Sequence, residues 1–122
     1  DASLAKVSMD AEQLHQVIWN LLENAWQYST PDSFSARVEI KLFSQDNEVM
    51  IDICDNGQGV SEKMQENLFE PFNSDRQGGT GLGLYLAREL CQANGARLNY
   101  ISNDSEQCFR VSFPAERQET LQ

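Results

Sequence analysis

Long hydrophobic runs are missing from this sequence. No stretch approaches the ~20 apolar residues that a membrane-spanning helix requires, and no secretory leader is visible. Positive charge is scarce: 9 Lys and Arg stand against 19 Asp and Glu, a formal net charge of −10. The basic patch of a phosphate-backbone binder is therefore lacking, and nucleic acid is not an expected partner. One small anionic ligand still fits an acidic chain if backbone amides and a few cations are focused locally. Cysteine is limited to Cys54, Cys91 and Cys108, an odd count without metal-type spacing. The expectation is three buried, reduced thiols, suited to a reducing cytoplasm. Repeats, low-complexity tracts and interdomain linkers are absent. Neither GxGxxG nor GxxxxGK[ST] aligns on the glycines, because Leu84 falls where the third Rossmann glycine belongs and no Lys follows.

What remains is a chain of 122 residues, 40% hydrophobic and 23% charged, the profile of one globular domain with a real core. It begins at Asp1 rather than Met, as expected of a piece of a longer protein. Asp10, with Gln13 three residues on, makes a capping-box start. Leu14, Val17, Ile18, Leu21, Leu22, Ala25 and Tyr28 then recur at helical spacing, and Ser29-Thr30-Pro31-Asp32 ends the helix. The alternating runs "RVEIKLF" and "EVMIDICD", joined by "SQDN", read as a hairpin. Ser61 starts a short helix to about Leu68. "EPFNSDRQGGTG" reads as loop, and "GLYLARELCQAN" as a helix with an Asn94-Gly95 C-cap. "ARLNYIS" and "CFRVSFP" form a second hairpin around "NDSE". The order predicts an α+β two-layer sandwich, helices covering one face of a mixed, mostly antiparallel sheet. The domain is expected over 1–115, with 116–122 a frayed tail.

Three features carry possible chemistry. Asn20, Asn24 and Gln27 fall within about 60° of one another on the first helix, at about 100° per residue. A flank of amides at the core edge suits cation or phosphate coordination, or simply a solvated or capping pair. In "DNGQGV", Asp55 ends a buried strand, where a carboxylate is costly unless paired, and an adenine amino group is a suitable donor. Gly57 and Gly59 would let backbone pass close to a flat ring; "DNG" is equally a common turn. In "GGTGLGLYLAREL", glycines open directly into a helix, whose free amides and dipole attract phosphate.

"NLLENA", "DNGQGV", "LFEPF" and "GGTGLGL" occur in this order across nearly the whole chain, from about Leu4 to Pro114. Together they resemble the ATP-binding catalytic domain of sensor histidine kinases, in the GHKL ATPase superfamily. The resemblance implies a Bergerat-type sandwich and Mg-ATP as ligand. It implies that Asn24 holds Mg²⁺, Asn20 helps orient the phosphates and Asp55 receives the adenine amine, flanked by Gly57, Gly59 and Val60. Gln27 and Tyr28 would lie beside the nucleotide, Gln27 standing where many members carry Lys or Arg. Phe69 and Phe72 would anchor a mobile lid. Gly79, Thr80, Gly81, Leu82 and Gly83 would form its hinge and phosphate loop, with Arg76 the candidate for γ-phosphate contact.

Superfamily members that hydrolyse ATP carry a Glu four residues before the metal-binding Asn. Here that position is Asn20, a poor general base, and Glu23 lies about 100° round the helix from Asn24. The resemblance thus implies transfer of the γ-phosphoryl group to a histidine rather than hydrolysis. A GHKL serine kinase and a non-catalytic ATP-binding module are the alternatives. His15, within the ATP-binding helix, is expected to be structural or surface-exposed. The acceptor histidine would reside on a separate dimerisation domain, with a response regulator downstream. The localisation implied is a cytoplasmic domain of an inner-membrane sensor, without membrane contact of its own. The six residues between Phe72 and Gly79 make a short lid, similar to the nitrogen- and pilus-regulation branch of sensor kinases.

Overall fold

The computed structural model describes residues 8–28, 37–57, 59–72, 82–103 and 106–114. The first helix, α1, spans Ala11–Tyr28. Asp10 caps it, Oδ2 accepting from the Gln13 N–H at 2.9 Å. The reciprocal half of the expected capping box is taken over by Asn94. Its Oδ1 accepts from the Asp10 N–H at 3.4 Å, and its Nδ2 donates to Gln13 Oε1 at 2.7 Å. Asn94 is also the C-cap of α3, Gly83–Ala93. One side chain therefore ties the start of α1 to the end of α3. Gly95 follows at φ +75°, the left-handed conformation that lets the chain turn out of α3.

β1 (Val38–Gln45) and β2 (Glu48–Asp55) pair with Gln45 opposite Glu48. The connector is thus two residues rather than the four of "SQDN". Asp46 and Asn47 take φ of 54° and 62°, the pattern of a type I′ turn whose twist suits a hairpin. A four-residue helix, α2 (Glu62–Gln65), is capped by Ser61 Oγ, which accepts from the Met64 N–H at 3.2 Å. It is shorter than expected: Asn67 and Leu68 donate three residues back to Met64 and Gln65, and the helix tightens into turns. β3 (Arg97–Ser102) and β4 (Gln107–Pro114) form the second hairpin.

The sheet runs β1-β2-β4-β3, and all three pairings are antiparallel. Among the described residues these pairings agree with the α+β sandwich and the mostly antiparallel sheet that were expected. β2 and β3 do run parallel, but the β3–β4 hairpin inserts β4 between them. Side chains alternate across a strand, so Val49, Ile51, Ile53 and Asp55 share one face. That face packs on the helices: Ile53, Phe109, Val111 and Phe113 meet Val17, Leu21 and Ala25 of α1 and Leu84, Ala87 and Cys91 of α3, all buried.

The opposite face corrects the cysteine reading. The register sets Cys54 against Cys108, Cα atoms 4.0 Å apart, and the two form a disulfide. Only Cys91 is a free thiol, and burial pushes its pKa up to about 11. Chain positions 54 residues apart give no hint of such pairing, which strand register alone decides. Cysteine usage consequently no longer argues for a reducing compartment. Beside the disulfide, Arg110 grips Asp52 through two bonds of 2.8 and 2.9 Å and lies 5.2 Å from the Phe43 ring centre. No helix among the described residues is long and apolar enough to cross a membrane.

Candidate nucleotide site

On α1, Asn20 and Asn24 lie one turn apart, and both are buried. α3 approaches this flank at its first residue. Asn20 Nδ2 donates to the Gly83 carbonyl at 3.2 Å, while Asn20 Oδ1 accepts from Gln16 Nε2 at 2.8 Å. Asn20 therefore has both polar ends engaged. Asn24 does not. Its Nδ2 lies 3.8 Å from where a Cβ on Gly83 would stand, and its Oδ1 is buried with no hydrogen-bond partner among the described residues. An orphaned buried acceptor costs roughly 1–3 kcal/mol. An amide oxygen is the hard, uncharged donor that Mg²⁺ accepts alongside phosphate oxygens, so the residues present fit that ion. Beside it, α3 starts with no side-chain cap among the described residues, and its first turn, the positive end of its dipole, lies next to Asn20.

Asp55 ends β2 on the same face as Ile53 and is only 4% exposed. Burial pushes its carboxyl above the usual range, opposed by the Gly57 N–H, which donates to Oδ1 at 2.9 Å. Directly opposite on β4 is Gln107, also buried. Its amide is surrounded by oxygens, so the nitrogen must face them. Nε2 donates to the Gly57 carbonyl at 2.9 Å, to Asp55 Oδ1 at 3.2 Å and to the Asp55 carbonyl at 3.3 Å. Tyr100 completes the support: its hydroxyl accepts from the Val60 N–H at 2.9 Å, and the Val60 carbonyl accepts from Gln65 Nε2 at 2.9 Å.

The expected reason for Gly59 needs revision. It sits at φ +79°, and a Cβ there would lie 2.9 Å from Gln107 Cγ and 3.1 Å from the Tyr100 hydroxyl. Glycine is required by the protein's own packing beneath the loop, whatever ring lies above it. Gly59→Ala is expected to cost about 2 kcal/mol or more, from left-handed strain plus overlap. Denaturant unfolding checks this, and an unchanged midpoint would refute it.

Of the two expected lid anchors, Phe69 packs edge-on against Phe109 at 6.3 Å. Phe72 is 76% exposed at φ 63°, because the left-handed turn there directs its side chain outward. Gln27, the third residue of the amide stripe, is exposed near the end of α1, and Tyr28 is its last residue. Leu82 and Gly83 form the start of α3. Arg76, Gly79, Thr80 and Gly81 lie outside the described residues. His15 and Glu23 are exposed. Sequence reasoning missed Gln16, Tyr100 and Gln107. Gln16 was detectable, one turn before Asn20; the other two reach the site only through strand register.

Asp52, Cys54 and Cys108 cluster on the sheet's other face, but the sulfurs are joined and the carboxylate holds Arg110. They do not constitute a metal centre.

Residues 9–117 match the sequence profile of the family described as histidine kinase-, DNA gyrase B-, and HSP90-like ATPase. The sensor protein kinase PilS of Pseudomonas aeruginosa is 41% identical over 109 residues, which cover 86% of this chain and 20% of that protein. The sensory histidine kinase/phosphatase NtrB of Salmonella typhimurium is 34% identical over 122 residues, 93% of this chain and 35% of that protein. The chain thus spans about a fifth to a third of the length of these two relatives. Among solved structures, a mycobacterial sensor histidine kinase, MprB, superimposes with a TM-score of 0.78 at 24% identity, covering 91% of this chain and 78% of that one. The catalytic domain of the histidine kinase ThkA gives 0.76 at 24% identity, covering 88% and 70%. These two likenesses speak for the fold.

Proposed function

Since the chain belongs to the histidine kinase-, DNA gyrase B-, and HSP90-like ATPase family, we propose that it binds Mg-ATP and donates the γ-phosphoryl group to a histidine on a dimerisation domain of a two-component sensor kinase. The orphaned Asn24 Oδ1 is the observation that carries this reading: a buried acceptor left unpaired among the described residues, beside the start of α3. When bound, Mg²⁺ would neutralise phosphate charge, with Asn24 as its ligand from this chain.

Asn20 supports transfer over hydrolysis. It stands where hydrolysing members carry a glutamate, and its amide is engaged at both ends by Gln16 and Gly83. It can orient groups around it but cannot take a proton from water. In the transfer, the bond from the γ-phosphorus to the bridging oxygen breaks and ADP leaves. A bond forms to an imidazole nitrogen, which gives up its proton to solvent or base. His15, exposed on α1 within the same domain, is not the acceptor in this reading. A response regulator would take the phosphoryl group onward, and the domain would lie on the cytoplasmic side of an inner-membrane sensor.

The test mixes the chain with a separately produced histidine-bearing dimerisation domain, Mg²⁺ and γ-labelled ATP. Acid-labile, base-stable label on the histidine is expected. Acid-stable label on serine would establish a serine kinase instead, and ATP binding without any transfer would leave a binding module.

A further inference from the structure

We propose that Gln107 is the positioning residue of the nucleobase site: it holds one oxygen of Asp55 so that the other accepts from the base, and so sets the choice of a 6-amino over a 6-oxo purine. This rests on the ATP-binding reading above and names how the base is selected.

β4 places Gln107 opposite Asp55, and the next register pair, Cys54 with Cys108, is covalently joined. The two strands cannot slide at this point. Gln107 Nε2 and the Gly57 N–H both converge on Asp55 Oδ1. Oδ1 is thereby saturated, and among the described residues no hydrogen bond is made to Oδ2. A carboxylate oxygen is an acceptor only, so Oδ2 welcomes an exocyclic amine and repels a carbonyl oxygen at the same position. Without Gln107, the carboxylate would lose one of its two fixed donors. It would be freer to turn or to take up a proton, and a protonated Asp55 offers a 6-oxo base the donor it needs. The Gln107 nitrogen has two hydrogens and three oxygens around it, so it has none to spare for the base and acts through Asp55. Its stem is locked as well, Cγ filling the space where Gly59 lacks a Cβ.

The experiment is a calorimetric titration of the chain with Mg-ATP and with Mg-ITP, whose base carries a 6-oxo group and an N1–H in place of the 6-amino group and bare N1. Wild type is expected to prefer ATP. Gln107→Met, of similar length but apolar, should lose about tenfold in ATP affinity and less than about twofold for ITP, the former being the loss of one charge-assisted bond. Gln107→Glu keeps the size, puts a second carboxylate against Asp55, and should lose ATP preference at pH 8 at least as severely; it serves as the second variant if the Met protein does not fold. Thermal unfolding of each variant is measured in parallel. A merely structural role would weaken both nucleotides by one factor; that result, or an unchanged ATP-to-ITP ratio in a folded variant, overturns the proposal. Failure of wild type to bind either nucleotide would instead refute the ATP reading and take this inference with it.

Discussion

Asn24→Ala is expected to abolish the Mg²⁺ dependence of nucleotide binding and to lower phosphoryl transfer about a hundredfold or more. That factor corresponds to the several kcal/mol a bound divalent ion supplies to phosphate charge. The fold should not suffer, because the side chain removed carries an oxygen that is buried and unpaired. Eliminating an unsatisfied acceptor is neutral or stabilising, whereas eliminating a satisfied one is not. Asn20 supplies the contrast. Its amide holds Gln16 and the Gly83 carbonyl, so Asn20→Ala should lower stability by about 1 kcal/mol or more as well as impair function. Titrations with and without Mg²⁺, beside thermal unfolding, separate the two effects. Undiminished Mg-ATP affinity in Asn24→Ala would remove that residue from the metal site.

Asp55→Asn should weaken ATP by about a hundredfold, the upper end for a bond to a buried charge. The replacement amide keeps its oxygen toward Gly57 and Gln107, both of which donate. Its NH₂ then occupies the place of Oδ2 and opposes the adenine amine, so ITP should lose less than ATP or even overtake it. Two pH dependences of opposite sign follow from the burial of the carboxyl. Without nucleotide, the folded chain binds the Asp55 proton more tightly than the unfolded chain. That contribution to stability is complete below the ordinary pKa of 3.8 and is lost as pH rises through the raised folded value. ATP affinity needs the ionised form and should fall as pH drops through the same range. Asp55→Asn should flatten both, as measured by unfolding and titration from the ordinary carboxylate range upward. An unchanged acid limb of ATP binding in the variant would show that another group governs it.

Much of this was legible without coordinates because local rules govern it. Asp10 before an amphipathic run announces a helix start, and Val17, Leu21 and Ala25 at helical spacing are the residues the structure buries completely. Alternation in "EVMIDICD" placed Asp55 on the face of Ile53, and hence at the end of a buried strand. The amide flank of α1 followed from the same geometry. Where reasoning went astray, a distant partner had intervened. Asn94 displaced half of the capping box, and Gln107 with Tyr100 supplied a packing reason for Gly59.

By itself the sequence determined the helices, the two hairpins, the family resemblance, and the stripe of amides on the flank of α1. Hydrophobic period, caps and turn residues act within a few positions of one another. Tertiary structure alone decided what stands opposite what: Cys108 against Cys54, Gln107 against Asp55, Gly83 against Asn20. Strand register and helix docking join residues dozens of positions apart, and no spacing along the chain encodes which oxygen of a carboxylate remains open.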